Sequence, residues 1–309
     1  MPDEKIIVIG VGGCGVKIID YLLESGVKGV ELIAADTDSK TLGSSHAHNK
    51  ILLGENLLHG SGTSGNDQAG INSAKESIDE IKECIKDSDM VFIAAGIGRG
   101  TGSGAAPVIA EAARDMGILT VGIVTKPFAF EMGVSMRLGA INIMRRNVDA
   151  ILVIENDRVL LSESTGNKIT LAEVHSKIYE VVLQAVKCVT DIINSDGFVK
   201  IDFSDVRAVL TNAGRTIIGF GECGGGDRIR KALLNAIDSP LMSLPVKGAA
   251  GVLVNITTGD RVKMSEFADV QKILDDITDP EAFVTLGHAI DESLGEKVRV
   301  SIIAAFGGI

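Results

Sequence analysis

The stretch Lys5-Ile6-Ile7-Val8-Ile9-Gly10-Val11-Gly12-Gly13-Cys14-Gly15 decides the fold. From Lys5 to Ile9 it is a β-branched run, apolar at every position after the lysine, which predicts a strand covered on both faces, as in a parallel sheet flanked by helices. Gly10-Val11-Gly12-Gly13-Cys14-Gly15 follows at once and opens a segment of helical period. The first amides of a helix have no internal partner, so a glycine turn at this point can aim them together at an anion.

The same unit repeats outward. Runs at Glu31 to Ala35, Met90 to Ala95, Ile118 to Thr125 and Ala150 to Glu155 predict four more strands, each followed by a glycine-bearing turn and a helical segment. An α/β domain with a Rossmann-like, doubly wound parallel sheet follows, and such sheets bind ligands beyond the carboxyl ends of their strands. From Thr170 to Asn194 the period changes. Val174, Ile178, Val181, Ala185, Val189 and Ile192 share one face, which predicts a single long amphipathic helix joining two domains. Beyond it, helices are predicted at Phe203 to Leu210, Asp227 to Ile237 and Ser265 to Ile277. Strands are predicted at Thr216 to Phe220, Gly251 to Thr257, Phe283 to His288 and Val298 to Ala305, giving a smaller α+β domain.

Two chemistries fit the first glycine loop. It reads GxGxxG, and Asp36 ends the second strand about 20 residues on, where an acidic residue holds a ribose hydroxyl in NAD-dependent oxidoreductases. The second loop shifts the balance: Gly96-Ile97-Gly98-Arg99-Gly100-Thr101-Gly102-Ser103-Gly104 follows the Met90 strand and leads into a helix expected to start near Ala105, with Pro107 in its first turn and Gly117 at its end. A dinucleotide needs one pyrophosphate loop, whereas a triphosphate with its metal benefits from donors that converge on separate oxygens. No GxxxxGK[ST] occurs, which excludes the P-loop class. A third polar glycine stretch, Gly60-Ser61-Gly62-Thr63-Ser64-Gly65-Asn66, reads either as a surface loop or as a cover for the γ-phosphate.

Composition removes other classes. The 309 residues are 45% hydrophobic and 23% charged, which suits folded domains without extended disorder. The longest apolar runs fall short of the ~20 residues of a membrane helix, and MPDEKIIVIG carries no secretory or organellar address, so a cytoplasmic location is expected. A net charge of −11 and the absence of Trp argue against a nucleic-acid surface. Cys14, Cys84, Cys188 and Cys223 form no C-x-x-C pair, and His46, His48 and His59 lack Cys or carboxylate partners at ligand spacing, so neither group suggests zinc.

The strings GVGGCG, AADTD, GIGRGTGSG, VTKPFAFE, KIDFSDVRAVL, DSPL and GVLVNITTG occur in order along nearly the whole chain, which thereby resembles the FtsZ and tubulin family. The resemblance implies a GTPase domain over residues 1–168, a central helix and catalytic loop over 169–199, and a C-terminal domain over 200–309. It implies phosphate contacts from Gly12, Gly13, Gly98, Gly100, Thr101, Gly102 and Ser103, and further nucleotide contacts from Cys14, Asp36, Gly62, Arg99, Glu131, Asn156 and Tyr179. His175 is expected to stack on guanine and Glu180 to accept from its Watson–Crick edge. Magnesium is expected on the nucleotide phosphates, with no direct protein ligand.

In the resembled family the loop after the central helix enters the pocket of the next subunit, so Asp202 and Asp205 are expected to orient the attacking water in trans. Read without the resemblance, both are a helix cap and a first-turn carboxylate. Several positions depart from the pattern: Lys200 stands for an Asn, Arg99 for a Gly, Asp36 for an Asn, and no Arg follows Glu131 where the family has one. Lys200, uncertain as a catalytic group because it cannot accept a hydrogen bond, implies slow hydrolysis and keeps open a filament component with little turnover. The implied partners are further copies of the chain and adaptor proteins for membrane attachment. The C-terminal peptide that docks adaptors in the family is not seen in the sequence. Cell division or cell shape is the implied role, at the division site in the first case.

Overall fold

A computed structural model describes residues 4–131, 139–163, 169–194, 197, 199, 201–259 and 264–307. Its contacts divide the chain into two compact units, Met1–Leu183 and Gln184–Ile309. The first unit runs β1 (Ile6–Val11), α1 (Gly12–Glu24), β2 (Glu31–Asp36), α2 (Ser39–Ser44), β3 (Asn49–Leu52), α3 (Glu55–Leu58), α4 (Asp67–Glu76), α5 (Ile78–Ile85), β4 (Met90–Gly96), α6 (Gly100–Asp115), β5 (Leu119–Lys126), α7 (Gly139–Asn147), β6 (Ala150–Glu155), α8 (Asn156–Glu163) and the start of α9 (Leu171–Asn194). The second continues from α9 through α10 (Phe203–Leu210), β7 (Gly214–Cys223), α11 (Arg228–Ile237), β8 (Gly251–Thr258), α12 (Met264–Ile277), β9 (Phe283–Ile290) and β10 (Val298–Ala305).

In the first unit the strands pair in the order β3-β2-β1-β4-β5-β6, all parallel. The order reverses between β1 and β4, which is where doubly wound sheets bind nucleotides. Register brings the strand tips level, since Val11 pairs with Ala35 on one side and Ala95 on the other. The apolar runs are buried along their length: Ile7, Val8 and Ile9 of β1 and Val91 to Ala95 of β4 pack inside the sheet and its helices. Such burial is worth about 1.5–3 kcal/mol for each large aliphatic side chain.

Helix ends follow local chemistry. Gly26 and Gly117 adopt φ of 63° and 77° just past α1 and α6, and their N–H groups return to Leu23 and Arg114 carbonyls. That is the left-handed closure glycine permits at a C-terminus. Thr170 caps α9: its hydroxyl accepts from Glu173 N–H at 3.3 Å, and Glu173 Oε2 accepts from Thr170 N–H at 2.6 Å. The face read from the sequence as apolar is buried at Val174, Ile178, Val181, Ala185, Val189 and Ile192.

Three expectations need correction. Helix α6 starts at Gly100, not near Ala105, so Pro107 lies in its interior. The reason is tertiary: Gly100 and Gly104 allow α6 to press against α4, where any Cβ would strike the backbone of Asn66 or Asp67. Strand β3 was not expected; it is a short edge strand with Asn49 and Lys50 exposed. Strand β7 extends from Gly214 to Cys223, well past the expected Thr216 to Phe220, paired over its outer part with β10.

In the second unit β7 and β8 flank β10 antiparallel, and β9 joins β8 parallel. Helices α11 and α12 cover one side through Ile229, Ala232, Leu233, Val270 and Leu274, facing Val252, Val254, Val300 and Ile302. Among the described residues, no helix is long and apolar enough to cross a membrane.

Candidate functional site

The loops after β1, β2 and β4 surround a cavity of about 810 Å³ in the first unit. Gly12 takes φ of 73° at the start of α1, and Gly98 takes φ of 128° before α6; both conformations lie in territory open to glycine. Helix α1 has no side-chain cap on its first turn, and Gly13 and Cys14 of that turn line the cavity. At the second loop Gly98 N–H donates to Ser103 Oγ at 2.9 Å, and Ser103 N–H to the Arg99 carbonyl at 3.0 Å. The two loops touch: a Cβ on Gly12 would stand 3.0 Å from Gly102 N.

Hydroxyls join the remaining wall. Thr37 Oγ1 and Thr101 Oγ1 lie 2.7 Å apart, with Thr63 Oγ1 3.4 Å from Thr101. The third glycine stretch therefore closes one side of the cavity, tied down by Gly62 N–H donating to the Thr37 carbonyl at 3.1 Å. Two rings, those of His175 and Tyr179, also line the cavity and pack on further aromatics. The His175 ring lies edge-on to Phe128 at 5.9 Å and tilted to Tyr179 at 6.1 Å, and Tyr179 packs against Tyr21 at 5.9 Å.

Thirteen expected positions line this cavity: Gly12, Gly13, Cys14, Asp36, Gly62, Gly98, Arg99, Thr101, Gly102, Glu131, Asn156, His175 and Tyr179. Gly100 and Ser103 lie behind the wall, the first packed on Thr63 and Asn66, the second holding Gly98. Glu180 is not among the lining residues and pairs with Lys177 Nζ at 3.0 Å. Thr63 and Ser64 of the third glycine stretch line it too, as do Lys17, Thr37 and Asp38, which the sequence reading did not list as site residues. Thr37 and Asp38 sit inside AADTD, so the strand-end position was the available signal.

Electrostatics distinguishes the lining groups. Burial holds the Asp36 carboxyl above its ordinary range, against the hydrogen bonds from Thr37 N–H, Asp38 N–H and the Thr101 hydroxyl. Burial, helped by the charge of Lys17, lowers His175, so its imidazole is neutral at pH 7; Glu131 opposes this. Burial raises the Cys14 thiol, despite its contact with Thr125, which keeps it protonated. The Tyr179 phenol is raised for the same reason.

A nucleotide fits these features. The positive-φ glycines form cradles that a Cβ would fill, and buried Asn156 Oδ1 has no hydrogen-bond partner among the described residues, leaving an acceptor for a base or sugar donor. Magnesium fits as well, since Asp36, Thr37, Asp38 and Thr101 present only oxygen donors. No three His, Cys, Asp or Glu among the described residues cluster as a metal site of their own.

The acidic pair lies in the second unit. Asp202 is the exposed N-cap of α10, and its N–H donates to Asp205 Oδ2 at 3.2 Å. Upstream, His288 N–H donates to the Val199 carbonyl at 3.1 Å, and Gly197 lies so close to His288 that a Cβ would overlap its carbonyl. Lys200 falls outside the described residues.

Comparison with known proteins agrees with this arrangement. Residues 5–162 match the family model of the Tubulin/FtsZ family GTPase domain, and residues 214–307 match that of the FtsZ family C-terminal domain. The chain is 39% identical to cell division protein FtsZ 1 of Thermococcus kodakarensis over 304 residues, covering 97% of this chain and 80% of that one. Among solved structures, an empty FtsZ dimer from M. jannaschii superposes with a TM-score of 0.91 at 36% identity, covering 98% of this chain and 88% of that chain. CetZ2 from Haloferax volcanii, at 20% identity, shares the fold with a TM-score of 0.81 over 98% of this chain and 93% of its own. The chain belongs to the tubulin/FtsZ family and carries that family's GTPase domain.

Proposed function

We propose that this protein binds GTP between the tips of β1, β2 and β4 and assembles head to tail into protofilaments that serve cell division in the cytoplasm at the division site. The observation that carries the reading is the convergence of two glycine cradles and a hydroxyl cluster on one cavity. Phosphates would meet the amides of Gly12, Gly13, Gly98 and Gly102, and guanine the His175 and Tyr179 wall. Asp36, Thr37, Asp38 and Thr101 would hold magnesium beside the phosphates, and its charge would offset what develops at the γ-phosphate.

Residues 1–168 would hold the phosphates, 169–199 would connect the domains and supply His175 and Tyr179 to the base, and 200–309 would present Asp202 and Asp205 to the γ-phosphate of the neighbouring copy. Asp202 is exposed at a helix start, as a group acting on another molecule must be. Phosphoryl transfer needs a placed water more than covalent help, and supplying its placement from a neighbour couples hydrolysis to assembly. Adaptor proteins would attach the filament to the membrane.

Light scattering and phosphate release are to be followed together after adding GTP and magnesium over a range of protein concentrations. The proposal expects both signals to rise above a threshold concentration. Scattering without phosphate release would favour the second reading, a filament component with little hydrolysis, which Arg99 in the cavity wall motivates. Phosphate release without scattering at any concentration contradicts assembly-coupled hydrolysis.

A further inference from the structure

The cavity is acidic before any phosphate enters it. Asp36, Asp38 and Glu131 line it against Lys17 and Arg99, and His175 is neutral. Two of the carboxylates have structural duties. Glu131 Oε2 accepts from Phe128 N–H at 2.9 Å, and Asp38 Oδ1 caps α2 through Lys40 N–H at 2.8 Å.

Asp36 is placed differently. It is 3% exposed, and its Oδ1 accepts from Thr37 N–H at 2.7 Å. Its Oδ2 faces the amide cradle, 3.9 Å from where a Cβ on Gly13 would stand. The paired hydroxyls of Thr37 and Thr101 lie beside it. Bringing phosphates to this cradle sets like charges together out of bulk water, where their repulsion is weakly screened. An Asn at this position, as the family resemblance leads one to expect, would avoid that repulsion. A divalent cation between carboxylate and phosphates turns it into attraction, and such hard cations select carboxylate and hydroxyl oxygens.

Resting on the GTP reading above, we propose that Asp36 directly ligates the divalent cation that accompanies the nucleotide, so that the chain as well as the phosphates holds the ion. The ion then has one bound water fewer than on free nucleotide, and its retention depends on the protein.

Manganese, a magnesium substitute visible by electron paramagnetic resonance, tests this with the full chain and GTPγS, a slowly hydrolysed GTP analogue. The wild-type complex is expected to bind manganese about tenfold or more tightly than the Asp36→Asn complex. Asp36→Glu, which keeps the carboxylate, should lose far less. In water enriched in the magnetic oxygen isotope, line broadening should count one water fewer on the ion in the wild-type complex than on free nucleotide. Equal manganese affinity in wild type and Asp36→Asn overturns the proposal, and so does an unchanged water count, which needs no variant. Nucleotide affinity in a metal chelator should not weaken in Asp36→Asn; a marked loss assigns Asp36 to a sugar hydroxyl and overturns the proposal too. Failure of the GTP reading is distinguishable, because wild-type protein would then bind no GTPγS at all.

Discussion

Thr37 and Thr101 meet through their hydroxyls at 2.7 Å, tying the end of β2 to the first turn of α6. Thr63 approaches Thr101 at 3.4 Å, so one side chain from α6 gathers the loops on either side of it. Each hydroxyl both donates and accepts, which leaves lone pairs and protons for phosphate oxygens or a hydrated ion.

Thr101→Val keeps the shape of the side chain and removes this junction. Thr101 is 8% exposed, so its partners lose a hydrogen bond where water replaces it poorly. A stability loss of about 1–2 kcal/mol is expected, together with a fall in GTPγS affinity of about tenfold. Thermal unfolding and calorimetric titration check both. Unchanged affinity would remove Thr101 from the binding wall.

Gly12→Ala tests the cradle itself. The residue sits at φ of 73°, and the added methyl would lie 3.0 Å from Gly102 N. Left-handed backbone costs a non-glycine residue roughly 1–2 kcal/mol, and the methyl would intrude where phosphate is expected. Nucleotide affinity should collapse while far-UV circular dichroism stays near wild type. Retained affinity would place the phosphates elsewhere.

Much of this was legible in the sequence because the deciding signals are local. The runs from Lys5 and Met90 are β-branched and apolar throughout, and the face from Val174 to Ile192 keeps one period, so strands and the long helix read directly. Where tertiary packing outweighs propensity, local reading fails. The segment from Gly100 to Gly104 has poor helix formers, yet it is helical because α4 requires a surface without side chains there. Edge strand β3 is only four residues, with neither alternation nor a turn signal to mark it. Within the site, the glycine loops were legible, Thr63 among them as part of the third stretch, whereas Lys17 belongs to no glycine motif and became visible as a lining residue through the fold. Tyr179 and Glu180 were both expected from the resemblance; Tyr179 borders the cavity, and Glu180 pairs with Lys177.

The second unit carries a pH dependence. Burial raises the Asp191 carboxyl from 3.8 to about 6, with Lys187 opposing and Asp291 assisting. Between those values the folded chain keeps a proton that the unfolded chain has released, so this contribution to stability is full below about pH 4 and is lost as pH rises through about 6. Asp191→Asn mimics the protonated form and should stabilise the protein by about 2 kcal/mol near pH 8, with little effect near pH 4. Denaturant unfolding at both pH values checks this. A gain that does not vary with pH would mean that Asp191 stays ionised at no cost.

Gly197→Ala addresses the approach to the acidic pair. A methyl here would overlap the His288 carbonyl, and the neighbouring bond from His288 N–H to the Val199 carbonyl fixes the loop that leads to Asp202. Displacing that loop should cut GTP turnover about tenfold or more and leave GTP affinity unchanged. Equal turnover in variant and wild type would separate loop position from catalysis.

In the proposed filament one copy binds the nucleotide and the next completes the catalytic site. Phosphate release per subunit and GTPγS affinity, measured for wild type and Asp202→Asn across protein concentrations, decide this. Wild-type release per subunit should climb with concentration, and Asp202→Asn should keep its affinity and lose most of its release. Release per subunit that is the same at every concentration, or a variant that loses affinity instead of turnover, would contradict it.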